Sequence, residues 1–120
     1  MMDQALSDTS ATRDDLTAAV CLFRSLADPT RLAIVRELAL GERRVVELTA
    51  HLGLAQSTVS AHLACLRDCG LVVSRPQGRA SMFSVARPEL FDLLAVAERV
   101  LGATGAAVRL CPSYGEDTVR

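Results

Sequence analysis

Gln56-Ser57-Thr58-Val59-Ser60-Ala61-His62-Leu63-Ala64-Cys65-Leu66-Arg67-Asp68-Cys69 is the stretch whose reading decides the fold. Val59, Leu63 and Leu66 recur at helical spacing, and Gly70 follows as a stop signal. Just upstream, Val45 to Leu52 reads as a shorter helix, joined to the first by Gly53-Leu54-Ala55. Two helices connected through a tight glycine-containing turn are the signature of a helix-turn-helix, in which the second helix lies in a DNA groove. The residues that face the bases then come from its N-terminal part, Gln56, Ser57, Ser60 and Ala61, with Thr58 and His62 as further DNA-binding candidates.

Working outward, Leu71–Arg75 and Ala80–Val85 read as strands flanking Pro76-Gln77-Gly78-Arg79, a hairpin with a basic tip. Arg75 and Arg79 there are candidates for phosphate or minor-groove contact. Upstream, Asp28-Pro29-Thr30 is a helix start, with Asp28 as N-cap and Pro29 at the first helical position, and Gly41 marks the stop. A first helix runs from about Arg13 to Leu26 with Leu16, Val20, Phe23 and Leu26 as apolar positions. A last one runs from Glu89 to about Leu101 with Leu90, Leu93, Leu94, Ala97 and Leu101. The expected fold is mainly α with a small two-stranded β wing, a winged helix-turn-helix over residues 13–101. A flexible segment precedes it at 1–12 and a tail follows at 102–120.

Composition narrows the function classes. The 120 residues, half of them hydrophobic, suffice for one core and not two. No stretch approaches the roughly 20 apolar residues that span a bilayer, and Met1-Met2-Asp3-Gln4 lacks an export signal, so a soluble, cytoplasmic protein is expected. The net charge of −1 is low for a DNA ligand, but its distribution is uneven. Residues 42–88 hold six arginines against three acids, a local +3, which leaves −4 elsewhere. Positive charge is concentrated where the DNA face is expected.

Four cysteines in a cytosolic chain point to metal binding, reactivity or burial before a disulfide framework. Cys65 and Cys69 are four apart, which puts them about 40° apart on one helical face with β-carbons roughly 5–6 Å from each other. Projected on the helix, both flank the Val59-Leu63-Leu66 core stripe, at the end away from the base-reading residues. Cys21, among apolar residues of the first helix and without a companion at chelating spacing, reads as core or dimer packing. A thiol oxidoreductase would carry Cys-x-x-Cys at a strand-to-helix junction, and this chain does not, so no enzyme is expected.

Taken together, Leu26-Ala27-Asp28-Pro29-Thr30-Arg31-Leu32, the segment Gln56 to Leu63 and the wing resemble the ArsR/SmtB family of bacterial metal-sensing repressors over about residues 16–101. The resemblance implies a homodimer built by the first and last helices, bound to operator DNA and released by its inducer. It also sorts the inducer site. Arg44-Val45-Val46-Glu47 stands where one subtype resembles Cys-Val-Cys, and no histidine lies between 89 and 101 for a site across the last helix. What remains resembles the cadmium- and lead-sensing branch, in which two recognition-helix cysteines join one from the tail, often the other subunit's. Cys65, Cys69 and Cys111 match those places. Ala55 departs from the Ser or Thr expected at the N-cap, at a cost of about 1 kcal/mol.

Three sulfurs with no carboxylate select a soft ion: cadmium or lead as inducer, with mercury and trivalent arsenic as further candidates and no organic cofactor. The alternative is a thiol-redox-sensing repressor using Cys65 and Cys69, against which stands the strained geometry of a disulfide within one helix. For His62, three residues before Cys65, the choice is between a fourth metal ligand and a DNA-phosphate or packing role, and the latter is favoured. For Arg43, Arg44 and the wing arginines the plainer reading is solvated charge, and His51 at a helix end needs no special role.

Overall fold

Asp28 and Pro29 set the first boundary that matters. In the computed structural model, which describes residues 9–110, Asp28 has extended backbone and its carboxylate accepts from the Arg31 N–H at 3.0 Å. Helix α1 (Thr9–Leu26) ends before it and α2 (Pro29–Leu38) begins after it. Helix α1 starts four residues ahead of the sequence expectation. Residues 1–8 and 111–120, including Cys111, lie outside the described ones.

Strand β1 (Arg43–Arg44) leads into α3 (Val45–Leu52) and α4 (Gln56–Asp68). The turn between these helices depends on Gly53 at φ +68, a backbone state that only glycine adopts without cost. Helix α4 ends with Cys69 as C-cap and Gly70 at φ +76, and the Leu71 N–H reaches back to the Leu66 carbonyl at 2.9 Å, a Schellman closure. Strands β2 (Val72–Gln77) and β3 (Ala80–Val85) pair antiparallel from Val72↔Val85 to Gln77↔Ala80, leaving a two-residue turn with Gly78 at φ +63. Pro76, which has no N–H to donate, is tolerated because β2 is an edge strand.

The wing therefore reaches two residues further than expected and gains a third strand. The sheet order is β1-β3-β2, with Arg43 opposite Phe83 and Arg44 opposite Met82. Helix α5 (Glu89–Ala103) closes the chain. The core draws Ile34 and Val35 from α2, Leu48 from α3, and Val59, Leu63 and Leu66 from α4, with Leu71, Val72 and Phe83 from the wing side and Leu90 and Leu94 from α5. Full burial of each such side chain contributes roughly 1.5–3 kcal/mol, so the core fixes which face of α4 turns outward. Among the described residues no helix is long and apolar enough to cross a membrane.

Candidate nucleic-acid interface and thiol cluster

With Val59, Leu63 and Leu66 buried, Gln56, Ser57, Thr58, Ser60 and Ala61 are all exposed along the N-terminal half of α4. Ala55 supplies no side-chain cap, so no side chain of that residue occupies the first N–H groups of the helix. Gln56 lines a groove with Arg44 at the start of α3 and Arg79 at the wing tip. Helix, strand and hairpin thus bring polar and cationic side chains to one face.

Two residues expected at the DNA face are engaged inside the protein. Arg75 forms a bidentate pair with Glu42, Nε and Nη2 donating at 2.9 and 2.8 Å, and its Nη1 donates to Gln77 Oε1 at 2.7 Å. That hydrogen bond holds the Glu42 carboxyl below its usual range. His62 is half-buried, with Nδ1 3.1 Å from Arg31 Nη1 and 4.0 Å from Asp28 Oδ2. Arg31 also donates to the carbonyls of Ser25 (2.6 Å) and Arg24 (3.2 Å), so one guanidinium ties the end of α1 and the start of α2 to the middle of α4. His51, read as needing no role, sits 3.0 Å from Glu37 Oε1.

The cysteines show the largest departure from the sequence reading. Cys21 is neither buried nor alone: it is exposed on α1 and disulfide-bonded to Cys69, with a Cα–Cα distance of 6.4 Å that falls in the ordinary range for such a bond. Cys65 is half-buried and the one free cysteine among the described residues. All three line a single open cleft of about 560 Å³ between α1 and α4, together with Ser25, Arg24 and Arg31. Ser25 is 2% exposed, the sole polar residue in the buried set, and its hydroxyl donates to Cys69 Sγ at 2.9 Å and stands 4.0 Å from Cys65 Sγ. Among the described residues no group of three or more His, Cys, Asp or Glu side chains is arranged to hold a metal ion. Cys111, expected as third ligand, lies outside the described residues.

Cys21 and Ser25 were missed because their companions are 44 to 48 residues away in sequence. Their spacing of four along α1 is the one local signal, and by itself it is only a shared helical face.

A reading helix set beside a basic hairpin is the arrangement of a winged helix-turn-helix DNA-binding regulator. Residues 28–74 match the family model described as "Bacterial regulatory protein, arsR family". The chain is 39% identical over 115 residues to the "Probable mercury resistance operon repressor" of Streptomyces lividans, covering 93% of this chain and 90% of that one. Among solved structures, the homodimeric winged helix-turn-helix domain of Mb0332 from Mycobacterium bovis superposes with a TM-score of 0.72 at 29% identity, over 78% of this chain and 86% of that one. The cadmium sensor CMTR of Mycobacterium tuberculosis superposes with a TM-score of 0.55 at 40% identity, over 84% and 95%. The chain belongs to the arsR family of bacterial transcriptional regulators.

Proposed function

We propose that this chain is a metal-responsive transcriptional repressor of the cytoplasm. A dimer binds operator DNA through Gln56, Ser57, Thr58, Ser60 and Ala61, with Arg79 at the wing tip, while His62 and Arg75 are held by Arg31 and Glu42. It lets go when a thiophilic ion, cadmium or lead foremost, binds Cys65 and Cys69 with Cys111. The observation that carries this reading is the placement of Cys65 and Cys69 on one cleft, both sulfurs within 4.0 Å of the same buried hydroxyl and no carboxylate lining the space. Such a donor set suits soft ions and rejects magnesium and calcium. Mercury and cadmium in the names of two relatives support the same class of ion. Leu16, Val20 and Phe23, 58, 47 and 57% exposed on one face of α1, support dimerisation through that helix.

The sulfurs sit at the far end of α4 from the reading residues, so the ion acts by shifting how the two helices of a dimer are held. Converting a mostly competent repressor into a mostly incompetent one takes about 5.5 kcal/mol of preference, within the roughly 10–16 kcal/mol that thiolate-rich zinc sites supply.

A second reading is favoured by the Cys21–Cys69 disulfide: a repressor that senses thiol oxidation, using this pair between helices in place of Cys65 with Cys69. One titration separates the two. Fully reduced protein on labelled operator DNA is titrated with cadmium or lead, and sulfur-to-metal charge-transfer absorption is recorded. Release accompanied by absorption that falls in Cys65→Ser, Cys69→Ser and Cys111→Ser supports the metal reading. Release on oxidation alone, with no response to either ion, replaces it with the redox reading.

A further inference from the structure

We propose that Cys21 is itself a ligand of the inducing ion, so that the sulfur set of α4 is extended by a thiolate from α1 across the cleft between the two helices. The inference rests on the metal reading above and adds a residue that cysteine spacing alone offers no reason to include. Three observations carry it. The Cα atoms of Cys21 and Cys69 are 6.4 Å apart across the two helices, so once the bond is reduced the two sulfurs can separate by side-chain rotation and face one ion between them. Cys65 opens onto the same cleft. Ser25, one turn after Cys21, is the buried polar residue whose hydroxyl points at the α4 sulfurs, the outer hydrogen bond that metal-bound ligands commonly receive.

Charge agrees with the assignment. Three thiolates around a divalent ion leave a net negative charge, and the side chains of Arg24 and Arg31 line the same cleft to offset it. The disulfide is the oxidised alternative to this state. A dithiol reductant breaks the S–S bond by supplying two electrons and two protons, leaving Cys21 and Cys69 as thiols and itself as a disulfide. Each thiol then gives its proton to solvent as its sulfur binds the ion. The bond and the ion therefore compete for the same two sulfurs, and α1, whose Leu16, Val20 and Phe23 form the exposed apolar face, is drawn directly into the sensing site.

The test uses the full-length reduced wild-type protein under anaerobic conditions and cadmium ion alone. Each cysteine's rate of alkylation by iodoacetamide is followed by peptide mass spectrometry with and without the ion. Protection of Cys21 by about tenfold or more, in step with Cys65 and Cys69, is expected, because the free thiolate is the reacting species. Cys21 alkylated equally fast in both conditions while Cys65 and Cys69 are protected overturns the proposal and leaves the metal reading standing. No protection of any cysteine overturns the metal reading itself. In a parallel experiment Cys21→Ser should lose one sulfur's share of the charge-transfer absorption. Its cadmium affinity should fall by more than the roughly 10–100-fold that loss of an outer hydrogen-bond partner costs. Unchanged absorption and affinity in a variant whose circular dichroism matches wild type count against it.

Discussion

At the residue scale, Asp28 is the hinge between two kinds of order. Its carboxylate caps α2 through the Arg31 N–H, and the Arg31 side chain, held in place by that turn, joins the end of α1 to α4 through the Ser25 carbonyl and His62. The Arg31 N–H, foremost, holds the Asp28 carboxyl below the usual range. Asp28→Ala is expected to lower the melting temperature at neutral pH by a few degrees, read by circular dichroism, and to weaken operator binding less than any change at Gln56 or Ser60. The sign with pH follows from the direction of the shift. A group with a depressed folded-state value stabilises fully above the ordinary carboxylate range of about 4 and loses that contribution as pH falls through its folded value. The gap between wild type and Asp28→Ala should therefore be constant from neutrality to about pH 5 and shrink on further acidification. A gap that widens in acid contradicts the cap.

At the scale of elements, the wing and its neighbours carry their own restraint. Glu42, just before β1, holds Arg75 of β2 in a bidentate pair, so that cation is occupied while Arg79 at the tip makes no ion pair among the described residues. Glu42→Gln should free Arg75 for phosphate, tighten operator binding and steepen the dependence of log K on log salt by about 1. An unchanged slope means that Arg75 stays off the DNA. The elements also show what was legible. Helix α3, the start of α4 and strand β3 fall where the sequence puts them, because Gly53, Gly70 and the run of alternating residues after Arg79 set those boundaries through local chemistry. Strand β1 was not legible, since two residues hold no period-2 pattern and become a strand only by pairing with Phe83 and Met82. Helix α2 stops at Leu38, earlier than Gly41 suggested, because Leu40 and Gly41 close tighter turns onto Glu37 and Leu38. The site divides the same way. Exposure of Gln56, Ser57, Thr58, Ser60 and Ala61 and the flanking position of Cys65 and Cys69 follow from helical projection. The partners of Cys69, His62 and Arg75 come from distant parts of the chain with no local trace.

At the scale of the whole molecule, an exposed phenylalanine, leucine and valine in one row on α1 are what a single subunit leaves uncovered, and Val96 and Val100 on α5 are also exposed. Phe23→Asp is expected to shift the protein from dimer to monomer in sedimentation analysis and to weaken operator binding at least tenfold, since two half-sites are no longer engaged together. Monomeric wild type at micromolar concentration would remove the basis for that expectation. Helix α4 spans 13 residues, about 20 Å of rigid rod, with its sulfurs at one tip and Gln56 and Ser57 at the other. A pivot of about 5° at the sulfur tip swings the opposite tip by nearly 2 Å. Donor–acceptor distances in a hydrogen bond tolerate only about 0.5 Å. An ion seated at the sulfur tip, as proposed above, would therefore have all the mechanical advantage required to pull the reading side chains out of register with the bases, without touching a single nucleotide.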